Sequence, residues 1–167
     1  MKMSRLSWMR ATGLAVTVSI TLLMAPIAGT TSASRLGSSF SAHTLRAVGA
    51  DAWQLFRDTN ESRGRFELPM LRLDRELSEI ARRHSLAMAR TGELFHTVDV
   101  DVYLHGIAWH LWGENVGYTP RGAWSVQQAF MESPPHREHI LNLSFHQVAI
   151  GAVRVDGKLW VTVFFYG

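Results

Sequence analysis

The 167-residue chain has no cysteine, which removes disulfides, thiolate nucleophiles and sulfur-ligated metals from consideration at once. It has no Gly-x-Ser-x-Gly elbow, and Ser133, although close to His136, sits before a double proline, where serines serve as caps and turn residues. No glycine loop of the phosphate-cradling kind is present, because Gly113 and Gly117 flank Glu114, whose charge repels phosphate. There is no internal repeat. Lysine is nearly absent, with Lys2 and Lys158 alone, and no Lys/Arg cluster marks a nucleic-acid-binding face.

The formal charge of +3 belongs to the beginning of the chain. Lys2, Arg5 and Arg10 account for three of the 17 basic residues, and residues 1–33 hold none of the 14 acidic ones, so the remainder balances at 14 and 14. These three cations precede an uncharged run from Ala11 to Ala28 and then small residues, the pattern of a secretory signal with cleavage expected after Ala33. The alternative is a retained anchor. The run sits at the short end of spanning length and is interrupted by Thr12, Thr17, Ser19, Thr21 and Pro26. A secreted or envelope-associated protein with no membrane span after cleavage is therefore expected, and an exported chain without cysteine points to a bacterial source. Residues 34–46, rich in Ser, Gly and Ala, read as a flexible leader, and residues 47–167 as one domain with a core of its own.

Within that domain, Val48, Ala52, Leu55, Phe56 and Thr59 have the spacing of a helix that stops between Asn60 and Gly64. Asp74 is placed to cap a second helix with a buried stripe of Leu77, Ile80, Ala81, Ala87 and Met88, ending at Gly92. A short helix is expected from Ala123 to Met131, with Trp124, Ala129 and Phe130 inward and Pro134-Pro135 as its stop. Val148, Ile150, Ala152 and Val153 lead to Asp156-Gly157, and Leu159, Val161, Val163 and Phe165 alternate on the return, which predicts a two-residue β-hairpin. Helices followed by strands, not interleaved as βαβ units, indicate an α+β layered domain. The tryptophans of this domain are assigned to its core rather than to a ligand groove.

Four side chains are candidates for chemistry: His96, Glu114, Glu132 and His136. Imidazole nitrogens and carboxylate oxygens suit a borderline divalent ion such as zinc, and an incomplete protein shell leaves room for water. The competing reading has Glu114 and Asn115 merely satisfying backbone groups around their own turn. His136 and His139 lie three apart in the order His-Arg-Glu-His, which is not the four-residue spacing of a metalloprotease helix, so His139 is read as a local packing or capping residue. His43, His84, His105, His110 and His146 show no partner pattern and are read as surface or half-buried.

The ordered set Asn60-x-x-Arg63, Leu73-Asp74-x-x-Leu77, Ala81-x-x-His84, Met88-Ala89, Phe95-His96-Thr97, Gly113-Glu114-Asn115-Val116, Ser133-Pro134-x-His136-Arg137-x-x-Ile140-Leu141-Asn142 and Ile150-Gly151 resembles bacterial members of the CAP superfamily, also called the SCP domain. The resemblance runs from about Ala47 to Gly167. It implies a three-layer α-β-α sandwich with a cleft lined by two histidines and two glutamates that in some members holds a divalent metal. His96, Glu114 and His136 match the first histidine, first glutamate and second histidine. Glu132 stands near the place of the fourth member, two residues after Phe130 rather than three. His139 replaces the asparagine common in bacterial members. The resemblance leaves three functions open: a non-enzymatic cleft for a metal or small ligand, a metal-dependent hydrolase with Glu114 as base, and a lipid-binding protein.

Overall fold

The computed structural model describes residues 49–167, so the expected signal, the leader and Val48 lie outside the described residues. Along the chain come α1 (Ala50–Gly64), β1 (Arg72–Leu73), α2 (Arg75–Thr91), α3 (Val100–Tyr103), β2 (Trp112–Thr119), α4 (Ala123–Glu132), α5 (Pro134–Leu141), β3 (Gln147–Val155) and β4 (Lys158–Tyr166). The sheet order is β1-β3-β4-β2; β1 runs parallel to β3, and the other pairs are antiparallel. Helix α2 covers one face, and α1, α4 and α5 cover the other, giving the expected α-β-α sandwich.

The alternation of β4 explains the layering. Leu159, Val161, Val163 and Phe165 join Leu55, Phe130, Ile140 and Phe145 beneath α1, α4 and α5, whereas Trp160, Phe164 and Tyr166 face α2 with Leu77, Ala81 and Met88. Being buried on both sides, β4 is the centre of the fold. Its hairpin with β3 closes on Val155 and Lys158 through Asp156 (φ 48°) and Gly157 (φ 73°), the two positive φ values that a type I′ turn demands. Helix α2 begins as expected: Asp74 Oδ1 accepts from the Leu77 amide at 2.9 Å, and Oδ2 accepts from the Tyr166 hydroxyl at 2.6 Å. It presses so closely on β3 that any side chain at Gly151 would collide with the main chain of Ala81 and Arg82.

Two polar residues of α1 secure the loops on its side. Asn60 both donates to the Leu71 carbonyl and accepts from the Leu71 amide. Arg63, fully buried, donates to the carbonyls of Pro69, Ile140, Asn142 and Phe145, so a charge with no carboxylate partner among the described residues is held by four carbonyl dipoles.

Several expectations are corrected. Pro134 and Pro135 follow the end of α4 at Glu132, as expected, but the chain does not simply turn at His136: they open α5, where proline's missing N–H and fixed φ suit the first turn. Trp124 is 63% exposed and Ala129 is also outward; Ala123, Val126, Gln127 and Phe130 form the buried side of α4. The segment around Gly113 is a full edge strand, β2, whose polar and glycine-rich sequence gave no alternating apolar signal. Short β1 and α3 were likewise not anticipated. Among the described residues no helix is long and apolar enough to cross a membrane.

Candidate functional site

Consecutive residues of the edge strand β2 point to opposite faces of the sheet, and each gathers histidines. Glu114 lies opposite Phe164 on the α2 face, and Asn115 lies opposite Val163 on the α4/α5 face. The turn past the α2 C-cap Gly92 brings Phe95, His96 and Thr97 over the carboxylate of Glu114.

Glu114 is 3% exposed and both its oxygens are engaged. Oε2 pairs with His96 Nδ1 at 2.7 Å and accepts from the Thr97 amide at 2.9 Å; Oε1 accepts from the Thr97 hydroxyl at 2.9 Å and lies 3.5 Å from His84 Nδ1. The hydrogen bond to Glu114 stabilises the imidazolium and raises the His96 pKa above its ordinary 6.5, and the 53% exposure of its side chain leaves the charge partly hydrated. His84 is the opposite case. It is buried, its Nδ1 lies 3.2 Å from Thr162 Oγ1, its ring meets Phe95 edge-on at 5.0 Å, and its Nε2 has no hydrogen-bond partner among the described residues. Burial therefore lowers its pKa, against the pull of Glu114.

Across the strand, Asn115 is fully buried; its Nδ2 donates to the His136 carbonyl at 3.0 Å and its Oδ1 pairs with His139 Nδ1 at 2.8 Å. His139 lies flat against β2 beside Phe145 and Phe165, and a Cβ at Gly113 would come within 2.7 Å of its ring. Its role as a packing residue is thereby accounted for. His136 Nδ1 pairs with Ser133 Oγ at 2.8 Å, and its ring lies 5.0 Å from that of Phe130. Burial lowers the pKa of both His136 and His139, and positive charge on His96 lowers both further, so the groups sense one another around the open edge of β2.

The four sequence candidates are thus joined only in part. His96 and Glu114 are in direct contact, and His136 approaches the same edge from the other face on its own supports. Glu132 is exposed and lines a separate hollow with Arg121 and Phe130. Among the described residues, no three His, Asp or Glu side chains form a ready metal cluster. The donor chemistry nevertheless suits a borderline divalent ion, because each imidazole binds an internal partner through Nδ1 and neither Nε2 bonds to another described residue. His84 and Thr97 were missed as members of the site. The signal for His84 was its place on the stripe Leu77-Ala81-His84-Met88, where an ionisable group is out of keeping; that for Thr97 was its adjacency to His96.

The profile of the cysteine-rich secretory protein (CAP) family matches residues 56–165. The chain belongs to this family. A solved extracellular SCP-domain protein from Bacillus anthracis is 25% identical, superposes with a TM-score of 0.62, and is matched over 70% of this chain and 40% of its own. A cysteine-rich secretory protein from Staphylococcus aureus gives 24% identity and a TM-score of 0.58, over 70% of this chain and 38% of that one. An outer surface protein from Borrelia burgdorferi gives 20% and 0.61, covering 70% and 91%. The chain accordingly spans about two fifths of the length of the Bacillus and Staphylococcus proteins. No protein of curated function matches it. The CAP match and these neighbours agree with the sandwich described above, and the residues of β2 and the loop before α3 fall within the matched segment.

Proposed function

We propose that this CAP domain is an exported binding protein, not an enzyme, that holds a divalent metal, zinc foremost, through His96 and His136 at the open edge of β2. The observation that carries the reading is the shared arrangement of the two imidazoles: Nδ1 is fixed by Glu114 in one and by Ser133 in the other, and Nε2 is left for a ligand. Two protein donors leave coordination positions for water or for a small molecule. Glu114 serves as the orienting partner of His96. The alternative of a metal-dependent hydrolase with Glu114 as general base is disfavoured, because a base must reach water, and Glu114 is 3% exposed with its carboxylate turned to His96 and Thr97. Export is supported by the amino-terminal signal pattern and by the extracellular and outer-surface neighbours.

The test is calorimetric titration of zinc into the protein and into the His96→Ala/His136→Ala double variant. A saturable heat lost in the variant supports the reading; identical isotherms remove it. A lipid or other apolar ligand is a second reading, favoured by the exposed Leu94, Phe95, Val98 and Val102 that flank His96. Mass spectrometry of an organic extract of the purified protein decides it.

A further inference from the structure

Among the described residues strand β2 pairs on one side only, and the register fixes which of its residues present main-chain groups on the other. Leu111 and Gly167 exchange both hydrogen bonds, N–H to carbonyl at 3.2 and 3.1 Å. Two-residue steps from that pair make Gly113, Asn115, Gly117 and Thr119 the residues that bond to β4, so Val116 and Tyr118 turn their N–H and C=O outward. No main-chain group of another described residue bonds to them there. Beside this edge runs the outer surface of α4, and between the two lies a hollow of about 400 Å³.

The hollow is charged at both ends. Arg121 precedes the start of α4 and Glu132 closes it; both are exposed, and neither forms an ion pair with a described residue. The ten residues of α4 separate them by about 15 Å, the span of four to five residues of extended chain at about 3.3 Å each. Small and polar side chains, Ser125, Gln128 and Ala129, line the helix wall and leave space for a strand.

We propose that this groove binds an extended peptide, which adds to β2 as a fifth strand and pairs with the main chain of Val116 and Tyr118. An acidic group of the peptide meets Arg121 and a basic group meets Glu132. Main-chain pairing supplies the attachment, and the two charges at fixed separation supply the choice of sequence and direction. The proposal is independent of the metal reading, since neither Nε2 takes part. The groove runs toward that site, however: Phe130 lines it and contacts the ring of His136.

The probes are two blocked pentapeptides, acetyl-Lys-Val-Thr-Val-Asp-amide and acetyl-Asp-Val-Thr-Val-Lys-amide, added to the isotope-labelled, metal-free protein. Amide hydrogen exchange is read by NMR. One order of the peptide is expected to slow exchange at Val116 and Tyr118 by about tenfold or more. In the Arg121→Glu/Glu132→Arg variant, whose altered side chains are exposed and outside the core, the preference passes to the other order. The proposal is overturned if neither peptide protects these amides at millimolar concentration, or if the charge swap leaves the preference unchanged. It is also overturned if Val116 and Tyr118 are already protected in a peptide-free protein that sediments as a dimer, which would make a second copy of the chain the occupant of the edge.

Discussion

The two faces of β2 offer a controlled comparison, because Glu114 and Asn115 are neighbours in sequence, both are buried, and each organises a pair of histidines. On the α2 face the organising group carries a charge and holds His96 in a form that favours the proton. On the α4/α5 face it is a neutral amide; it fixes His136 through its carbonyl and His139 through its ring, and desolvation pushes both toward the neutral form, outweighing at His139 the opposing pull of Glu138 and Glu114. One carboxylate oxygen in place of an amide nitrogen thus separates the protonation of the half-exposed His96 from that of His136 and His139, while His84, buried beside the same carboxylate, stays depressed by desolvation. For a metal held between His96 and His136, the consequence is that His136 is ready to donate near neutrality, whereas His96 must first release a proton.

The largest expected effect comes from erasing the asymmetry on its neutral side. Asn115→Asp places a second carboxylate in full burial and removes the donor to the His136 carbonyl, which should cost about 3 kcal/mol of stability in chemical denaturation. In the fraction that folds, the His139 pKa should rise above 6.5. A variant as stable as the parent would show that the amide's charge state is unimportant.

Erasing it on the charged side is milder. Glu114→Gln keeps the side-chain shape and an acceptor for Thr97 but removes the charge facing His96, at a cost of about 2 kcal/mol, and the His96 pKa should fall toward those of His136 and His139. Thermal unfolding and a ring-proton titration measure the two effects separately. An unmoved His96 would mean that the contact with Glu114 does not govern its proton.

The smallest effect is a tilt in acid stability. His84, His136 and His139 have depressed values, so their contributions are present in full above the unfolded value of 6.5 and are lost as pH falls through their folded values. His96 acts in the reverse sense, with a contribution complete below 6.5 and lost as pH rises through its folded value. Three against one predicts a midpoint temperature that drops between about pH 7 and about pH 5, and drops more steeply in Glu114→Gln. A flat profile over that interval would contradict the burial of the three.

How much of this was legible in the sequence follows from what each residue does. Helix α2 and the β3–β4 hairpin announced themselves because Asp74, Gly92 and Asp156-Gly157 are local devices and the apolar spacing agrees with them. Strand β2 was hidden because it serves the site: Gly113 admits the His139 ring, Glu114 and Asn115 carry hydrogen bonds, and none of these is an apolar inward residue. Trp124 misled because ring size argues for burial while its position on α4 faces outward. His96, Glu114 and His136 were found through their motifs. The opposition of faces that divides them was out of reach, since it requires knowing that residues 112–119 form a strand.

The most direct test is an NMR titration of the histidine ring protons in the metal-free protein, with His84, His96, His136 and His139 assigned by single substitution. The account predicts that His96 titrates above 6.5 and the other three below it. If His96 instead titrates at or below His136, the two faces of β2 do not differ in the way their neighbouring carboxylate and amide require.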